Sequence, residues 1–257
     1  MAIKLIADAH GRFEDLRDSI AAEDTLLILG DILDLIDWAD ISGILPDVIG
    51  KKNLVSKLMA AVAAGPRAGV KLRDELLAPD GGYYQELQRR VVESYTLFGK
   101  ILQEIGCRAY IIYGNGDIPE VLEASLNGAA NAVMAKGKAK LAGSTFGFVP
   151  GALYSPFMMP GEMDDEAYGA QLRELGPVDV LCTHIPPRIE AVTMDVVAGR
   201  PVEGSASLLA YIDEYRPRIL YHGHVHQPAQ RELLVGETRV INVAYYKRTG
   251  YVHTHEH

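Results

Sequence analysis

The chain has 257 residues, 48% of them hydrophobic, and a mean hydropathy of +0.04, so it can bury a sizeable core as one large domain or two small ones. A formal net charge of -9 and a pI of about 5.4 exclude a broad nucleic-acid-binding surface and fit a soluble protein that acts on small molecules. A phosphorylated substrate stays compatible with that charge, because bound cations reverse the local field.

Two cysteines, Cys107 and Cys182, imply no disulfide framework and point to a reducing cytosol. The sequence enters a strand at once, without an apolar leader, and no apolar run approaches the ~18 residues of a membrane span. The expectation is a cytoplasmic protein without membrane contact.

Residues 3–7 read as a short buried strand ending in Asp8-Ala9-His10-Gly11. Phe13, Leu16 and Ile20 follow at helical spacing. Residues 25–29 form a second apolar strand, ending in Gly30-Asp31-Ile32-Leu33-Asp34. Strand, helix, strand in that order suggests a parallel crossover.

Residues 36–105 change character and read as a helical insertion within a single domain spanning 1–257. Tyr84, Leu87, Val91, Tyr95, Phe98, Leu102 and Ile105 make one apolar stripe, and shorter helices fall near 51–63 and 69–77. The stripe packs on the core, or else serves as a lid or a homo-oligomer surface. Trp38, Tyr83 and Tyr84 invite either core packing or stacking on a base.

The alternation resumes at 109–113, ending in Gly114-Asn115-Gly116-Asp117. Asp117 and Glu120 stand in capping-box spacing around Pro119, and Asn127-Gly128 reads as a left-handed helix stop. Residues 145–149 and 178–183 read as strands, the second ending in His184-Ile185-Pro186-Pro187. A helix near 166–175 stops at Gly176, and Ser207 caps another carrying Leu208, Leu209, Ile212 and Tyr215. An apolar run at 218–221 leads into His222-Gly223-His224-Val225-His226. The segments 230–235 and 238–243 flank Gly236-Glu237 as a hairpin.

His224 and His226 alternate along extended backbone and share a face. A lone His-x-His pair says little; the other strand ends supply its partners. Asp8 and His10, Asp31, Asn115, His184, and His224 with His226 all stand at strand carboxyl ends, the edge where ligands bind in parallel sheets. Oxygen and imidazole donors without thiolate suit Mn, Fe or Zn better than Ca or structural Zn. Seven ligands exceed the needs of one ion and suit two, with a carboxylate such as Asp31 bridging.

Asp8-x-His10, Gly30-Asp31-x-x-Asp34, Gly114-Asn115-x-Asp117, His184 and Gly223-His224-x-His226 occur in this order, each after an expected strand. This set resembles the calcineurin-like metallophosphoesterase family over nearly the whole chain outside 36–105. The resemblance implies an α/β fold, a four-layer αββα sandwich of two mixed β-sheets with a helical insertion. It implies that Asp8, His10 and His226 hold one divalent ion, that Asn115, His184 and His224 hold the other, and that Asp31 bridges them. Manganese is the expected metal, with Fe, Zn or Mg as alternatives. The implied reaction is hydrolysis of a small phosphorylated substrate by a hydroxide bridging the ions, with Asp31, Asn115 and Asp117 as catalytic residues. Asp34 and Asp117 are candidates to orient the imidazoles.

One position departs from the pattern. Many members of the family carry a histidine after the motif asparagine, placed to donate a proton to the leaving group; here it is Gly116. General acid assistance contributes about 10²–10⁴-fold, most for poor leaving groups. Members with a small residue there tend toward phosphodiesters, so a phosphodiesterase is favoured over a phosphomonoesterase, with a non-catalytic metal-binding scaffold as a third reading. Arg12 either grips a substrate phosphate or is an exposed arginine at a helix start. His222 reads as a core histidine, Cys182 as buried and inert, and His253, His255 and His257 as a frayed tail.

Overall fold

Short apolar runs ending in polar turns build two mixed sheets. The computed structural model describes residues 1–37 and 40–256; Trp38, expected in core packing or base stacking, and His257, expected in a frayed tail, lie outside them. The strands of the two large sheets are, in chain order, β1 (Ile3–Ile6), β2 (Thr25–Leu29), β3 (Arg108–Ile112), β4 (Ala132–Met134), β5 (Gly137–Leu141), β6 (Ser144–Val149), β7 (Val180–Thr183), β8 (Ile219–His222), β9 (Glu232–Val235), β10 (Thr238–Asn242) and β11 (His253–Thr254). The first sheet runs β11-β1-β2-β3-β4 and the second β9-β10-β8-β7-β6-β5. Strands β1 to β4 are mutually parallel, as are β10, β8, β7 and β6. Antiparallel strands complete the edges at β11, β9 and β5.

Side-chain alternation along each strand sorts the core into layers. Leu27 and Leu29 of β2 face the second sheet and meet Phe146, Val180, Cys182 and Tyr221 there. Leu26 and Ile28 face the other way, onto helix Tyr84–Ile105 through Val91, Tyr95, Phe98 and Leu102. The outer face of the second sheet offers Leu181, Leu220 and Val240 to helices Asp165–Leu175 and Ala206–Tyr215. The result is the expected two-sheet sandwich flanked by helices.

The stretch 36–105 divides in two. The 22-residue helix Tyr84–Ile105 is the crossover between β2 and β3, and its apolar stripe packs on the first sheet; it ends at Gly106, left-handed at φ 75°. Helices Lys51–Ala64 and Pro66–Leu76 instead enclose a small core of their own around Leu54, Ala61, Leu72 and Leu76.

Several local expectations are corrected. The helix expected after residue 13 is only Leu16–Ser19; Phe13, Leu16 and Ile20 reach the core from largely irregular chain. Ile118, not Asp117, is the N-cap of helix Pro119–Leu126, and Asn127 ends it in the right-handed region. Ser205 rather than Ser207 caps Ala206–Tyr215, accepting from the Leu208 N–H at 2.9 Å. The described part of the tail, with His253 and His255, is not frayed: β11 pairs with β1, and His255 is buried against Tyr221, whose hydroxyl lies 2.9 Å from its Nδ1.

Candidate metal centre

The parallel strands of both sheets end at one edge of the sandwich, and the loops beyond them lock together. The ladder between β1 and β2 continues past the strands: the N–H groups of Asp8, His10 and Gly11 donate to the carbonyls of Gly30, Asp31 and Ile32 at 2.9–3.0 Å. Within the second sheet the Gly223 N–H donates to His184 O at 3.0 Å, and across the sandwich the His224 N–H reaches both carboxylate oxygens of Asp8 at 3.0 and 3.1 Å. Glycine is required where these loops touch. A Cβ on Gly223 would lie 2.4 Å from Ala7 Cβ, and one on Gly114 would lie 2.3 Å from an Asp31 carboxylate oxygen.

Two clusters result. Asp8, His10 and His226 bring ligand atoms within 4.8 Å of one another, and so do Asp31, His184 and His224; each group could hold a metal ion. Asn115 joins the second, its Oδ1 3.1 Å from His184 Nε2. Asp31 stands between them: one oxygen is 3.5 Å from His184 Nε2, the other 3.8 Å from His10 Nε2. All seven sequence-predicted ligands therefore meet in one place.

Four of these residues are held in the left-handed backbone region: Asp8 at φ 56°, His10 at 39°, Asp31 at 52° and His224 at 68°. Asp and His enter this region more readily than most side chains. Such residues still cost about 1–3 kcal/mol each and persist only where the surroundings over-determine them.

The donor set fits divalent ions. Both ring nitrogens of His10 are buried without a hydrogen-bond partner, a costly state for a polar group unless something else binds there. His184 Nδ1 donates to the Leu29 carbonyl at 2.8 Å, which commits its proton and turns Nε2 toward Asp31, Asn115 and His224. Nitrogen and oxygen donors without sulfur suit Mn, Fe or Zn.

Charge follows geometry. Burial pushes the Asp31 carboxyl up, but His184, His10 and His224 outweigh it and hold the group well below the usual carboxylate range. Burial pushes His184 down, but Asp31 and Asp8 carry it up to about 9. Burial and the nearby His184 press His224 down to about 3, and burial also lowers His226. At pH 7 the metal-free site thus holds a proton on His184 but none on His224. An ion entering the second cluster must displace that proton, so its affinity is expected to rise with pH through neutrality, approaching about tenfold per unit, and to level off above about 9. Calorimetric titration in buffers of different ionisation enthalpy should show close to one proton released per ion bound there at pH 7; no release would show that His184 enters the site unprotonated.

Other candidates are placed differently. Asp117 lies fully buried behind the site: it accepts from the N–H groups of Ile32, Leu33 and Gly114 and from the Tyr95 hydroxyl at 3.0–3.1 Å. It is thus a brace for the loops rather than a catalytic group or an imidazole partner. Asp34 pairs with Lys247 at 3.0 Å rather than with a histidine. Arg12 is corrected as a phosphate grip: its guanidinium is paired with Asp15 and donates to the Lys247 carbonyl at 3.1 Å. His222 is buried with Nδ1 3.0 Å from Gly223 O, and burial lowers it to about 4; Cys182 is buried and its thiol pushed far up.

Sequence reasoning missed Tyr245, Asp37 and Lys247, which wall the first cluster. The Tyr245 ring stacks on His226 with centroids 3.8 Å apart, and its hydroxyl donates to Asp37 at 2.6 Å. A signal existed: Tyr245 stands just past the carboxyl end of β10, a parallel strand neighbouring β8.

No family model matches the chain, and no curated protein matches it in sequence. Solved structures do share the fold. One crystal structure is similar at 17% identity with a TM-score of 0.63, covering 99% of this chain and 98% of its own. Another, that of TT1561 from Thermus thermophilus, is similar at 12% identity with a TM-score of 0.55, covering 99% of this chain and 97% of its own. Among the described residues, no helix is long and apolar enough to cross a membrane.

Proposed function

We propose that this chain is a dinuclear-metal-dependent phosphoesterase of the calcineurin-like metallophosphoesterase type, acting on a phosphodiester. The observation that carries the reading is Asp31: its two oxygens face different histidine-bearing clusters, 3.5 Å from His184 and 3.8 Å from His10. A carboxylate so placed is suited to serve two ions at once. Asp8, His10 and His226 would hold one and Asn115, His184 and His224 the other. When bound, such ions supply a water activated at neutral pH and neutralise charge on a phosphoryl group.

The protein's own contribution is preorganisation. The loops that carry Asp31 and Asn115 are fixed in advance by the His10 N–H donating to the Asp31 carbonyl and by the Ile32, Leu33 and Gly114 N–H groups donating to the Asp117 carboxylate, which keeps the reorganisation cost of reaction low. The Gly116 N–H donates to Asp31 at 2.7 Å and so orients the shared carboxylate. No side chain at Gly116 can donate a proton to a leaving oxygen. A substrate whose leaving group needs little protonation is therefore favoured over one that releases a simple alkoxide; the preference for a diester rests on the resemblance, in which members with a small residue at this position tend toward phosphodiesters.

An aryl phosphodiester and the matching monoester, assayed with and without added Mn, test the reading. Turnover is expected to require metal and to be faster on the diester. Faster monoester turnover would reverse the substrate preference, and tightly bound metal without turnover of either would favour the non-catalytic scaffold.

A further inference from the structure

The chain segment that follows β10 is under backbone strain. Ala244 sits at φ 78°, a conformation that a residue with a Cβ rarely adopts. Asn242, fully buried, enforces it: its Oδ1 accepts from the Ala244 N–H at 2.8 Å. The same side chain's Nδ2 donates to the carbonyl of Val225 at 2.9 Å, within the loop that carries His224 and His226. One asparagine thus ties the backbone before Tyr245 to the backbone before His226.

The strain has a product, which is the placement of Tyr245. Its ring lies parallel to the His226 imidazole, 3.8 Å between centroids and 11° between planes, and meets His10 edge-on at 5.8 Å and 90°. Its hydroxyl donates to Asp37 at 2.6 Å, and Lys247 Nζ lies 3.2 Å from the same carboxylate and 3.0 Å from Asp34. Ring and hydroxyl are therefore both fixed. The rings of His184 and His224 in the second cluster meet edge-on at 5.0 Å, as those of His10 and His226 do at 5.3 Å; Tyr245 is added to the first pair.

We propose that Tyr245 is a positioning residue for one ion alone, the one held by Asp8, His10 and His226, acting by fixing the planes of the two imidazoles; this rests on the dinuclear reading above. A stacked ring stops His226 from turning its lone pair away from the site, and the Asp37 bond stops the ring itself from moving. Removal of such an orienting group typically lowers metal affinity without removing a ligand.

The test is calorimetric titration of Mn into metal-free wild type, Tyr245→Leu, Tyr245→Phe and His226→Ala. Wild type should show two binding events. Tyr245→Leu is expected to weaken one of them by about 10- to 100-fold and spare the other, with Tyr245→Phe, which keeps the ring, falling between Leu and wild type. The weakened event should be the one that His226→Ala abolishes. Two events both unchanged, or both weakened equally, in Tyr245→Leu would overturn the proposal. Should Tyr245→Leu fail to fold, wild type supplies a second readout. The His226 ring protons, assigned by their loss in His226→Ala, should be shifted upfield by the stacked tyrosine, and unshifted resonances would overturn the positioning role. A wild type that takes up no divalent ion would overturn the dinuclear reading itself, and this inference with it.

Discussion

Asp31→Ala is expected to release both ions and to lower kcat by at least on the order of 10³-fold, more than the loss of any other single ligand. The reason is position. Each of the other ligands serves one cluster, whereas Asp31 has an oxygen toward His184 and another toward His10. Alanine also introduces strain, because φ at this residue is 52°. Asp31→Asn separates the two effects: asparagine tolerates the left-handed region and keeps one oxygen, but loses the charge. It should fold as wild type and retain at most one ion. Metal content by atomic emission, measured beside turnover, decides the matter; two ions retained in Asp31→Ala would remove the bridging role. In either variant His184 also loses the carboxylate that most strongly raises it, so burial should bring it below about 9.

Asp117→Ala is expected to be the most destabilising substitution at the site, by roughly 3–5 kcal/mol, against a typical total stability of about 5–15 kcal/mol. Three backbone N–H groups, of Ile32, Leu33 and Gly114, would lose their acceptor in a buried place. The Tyr95 hydroxyl would lose its acceptor as well, although it still accepts from the Ile118 N–H at 2.9 Å. These amides belong to the two loops that carry Asp31 and Asn115, so the variant should also bind metal more weakly despite losing no ligand. Denaturant unfolding of the metal-free protein measures the first effect. A loss below about 1 kcal/mol would mean that water replaces the carboxylate without cost. Asp117→Asn should be milder, since its oxygen can keep the shared bonds to Ile32 and Leu33.

What could be read from the sequence and what could not differ in kind. The strands β2, β3, β6, β7 and β8 were legible because each is a short apolar run ended by a turn, and the long helix because its stripe repeats over 22 residues. Strands β4 and β5 were missed. They are short and only half-buried, and β5 carries Lys138 and Lys140 among its alternate exposed positions, so neither reads as an apolar run. Strand β11 reads as a tail because two residues bear no pattern; it pairs with β1 and closes what would otherwise be an open edge. Asp117 reads as a cap from its local spacing, and from the resemblance as a catalytic or imidazole-orienting residue. Its actual partners are 84 and 85 residues away for Leu33 and Ile32, which no local pattern can show.

The ligand set itself could be listed from the chain, since Asp8, His10, Asp31, Asn115, His184, His224 and His226 each mark the end of an apolar run, and chemistry alone restricts such donors to a few metals. Their sorting into two clusters with Asp31 between them was implied by the family resemblance but by no pattern in the chain itself; physically it comes from the stacking of one sheet on the other with their parallel ends aligned. Periodicity along a chain specifies which face a side chain takes and where an element stops. It carries no information about which distant element arrives opposite, because that is settled by burial summed over the whole core. Tyr245 shows the limit most clearly: its partner His226 lies nearby in the chain, yet only a strained alanine and a buried asparagine bring the two rings face to face.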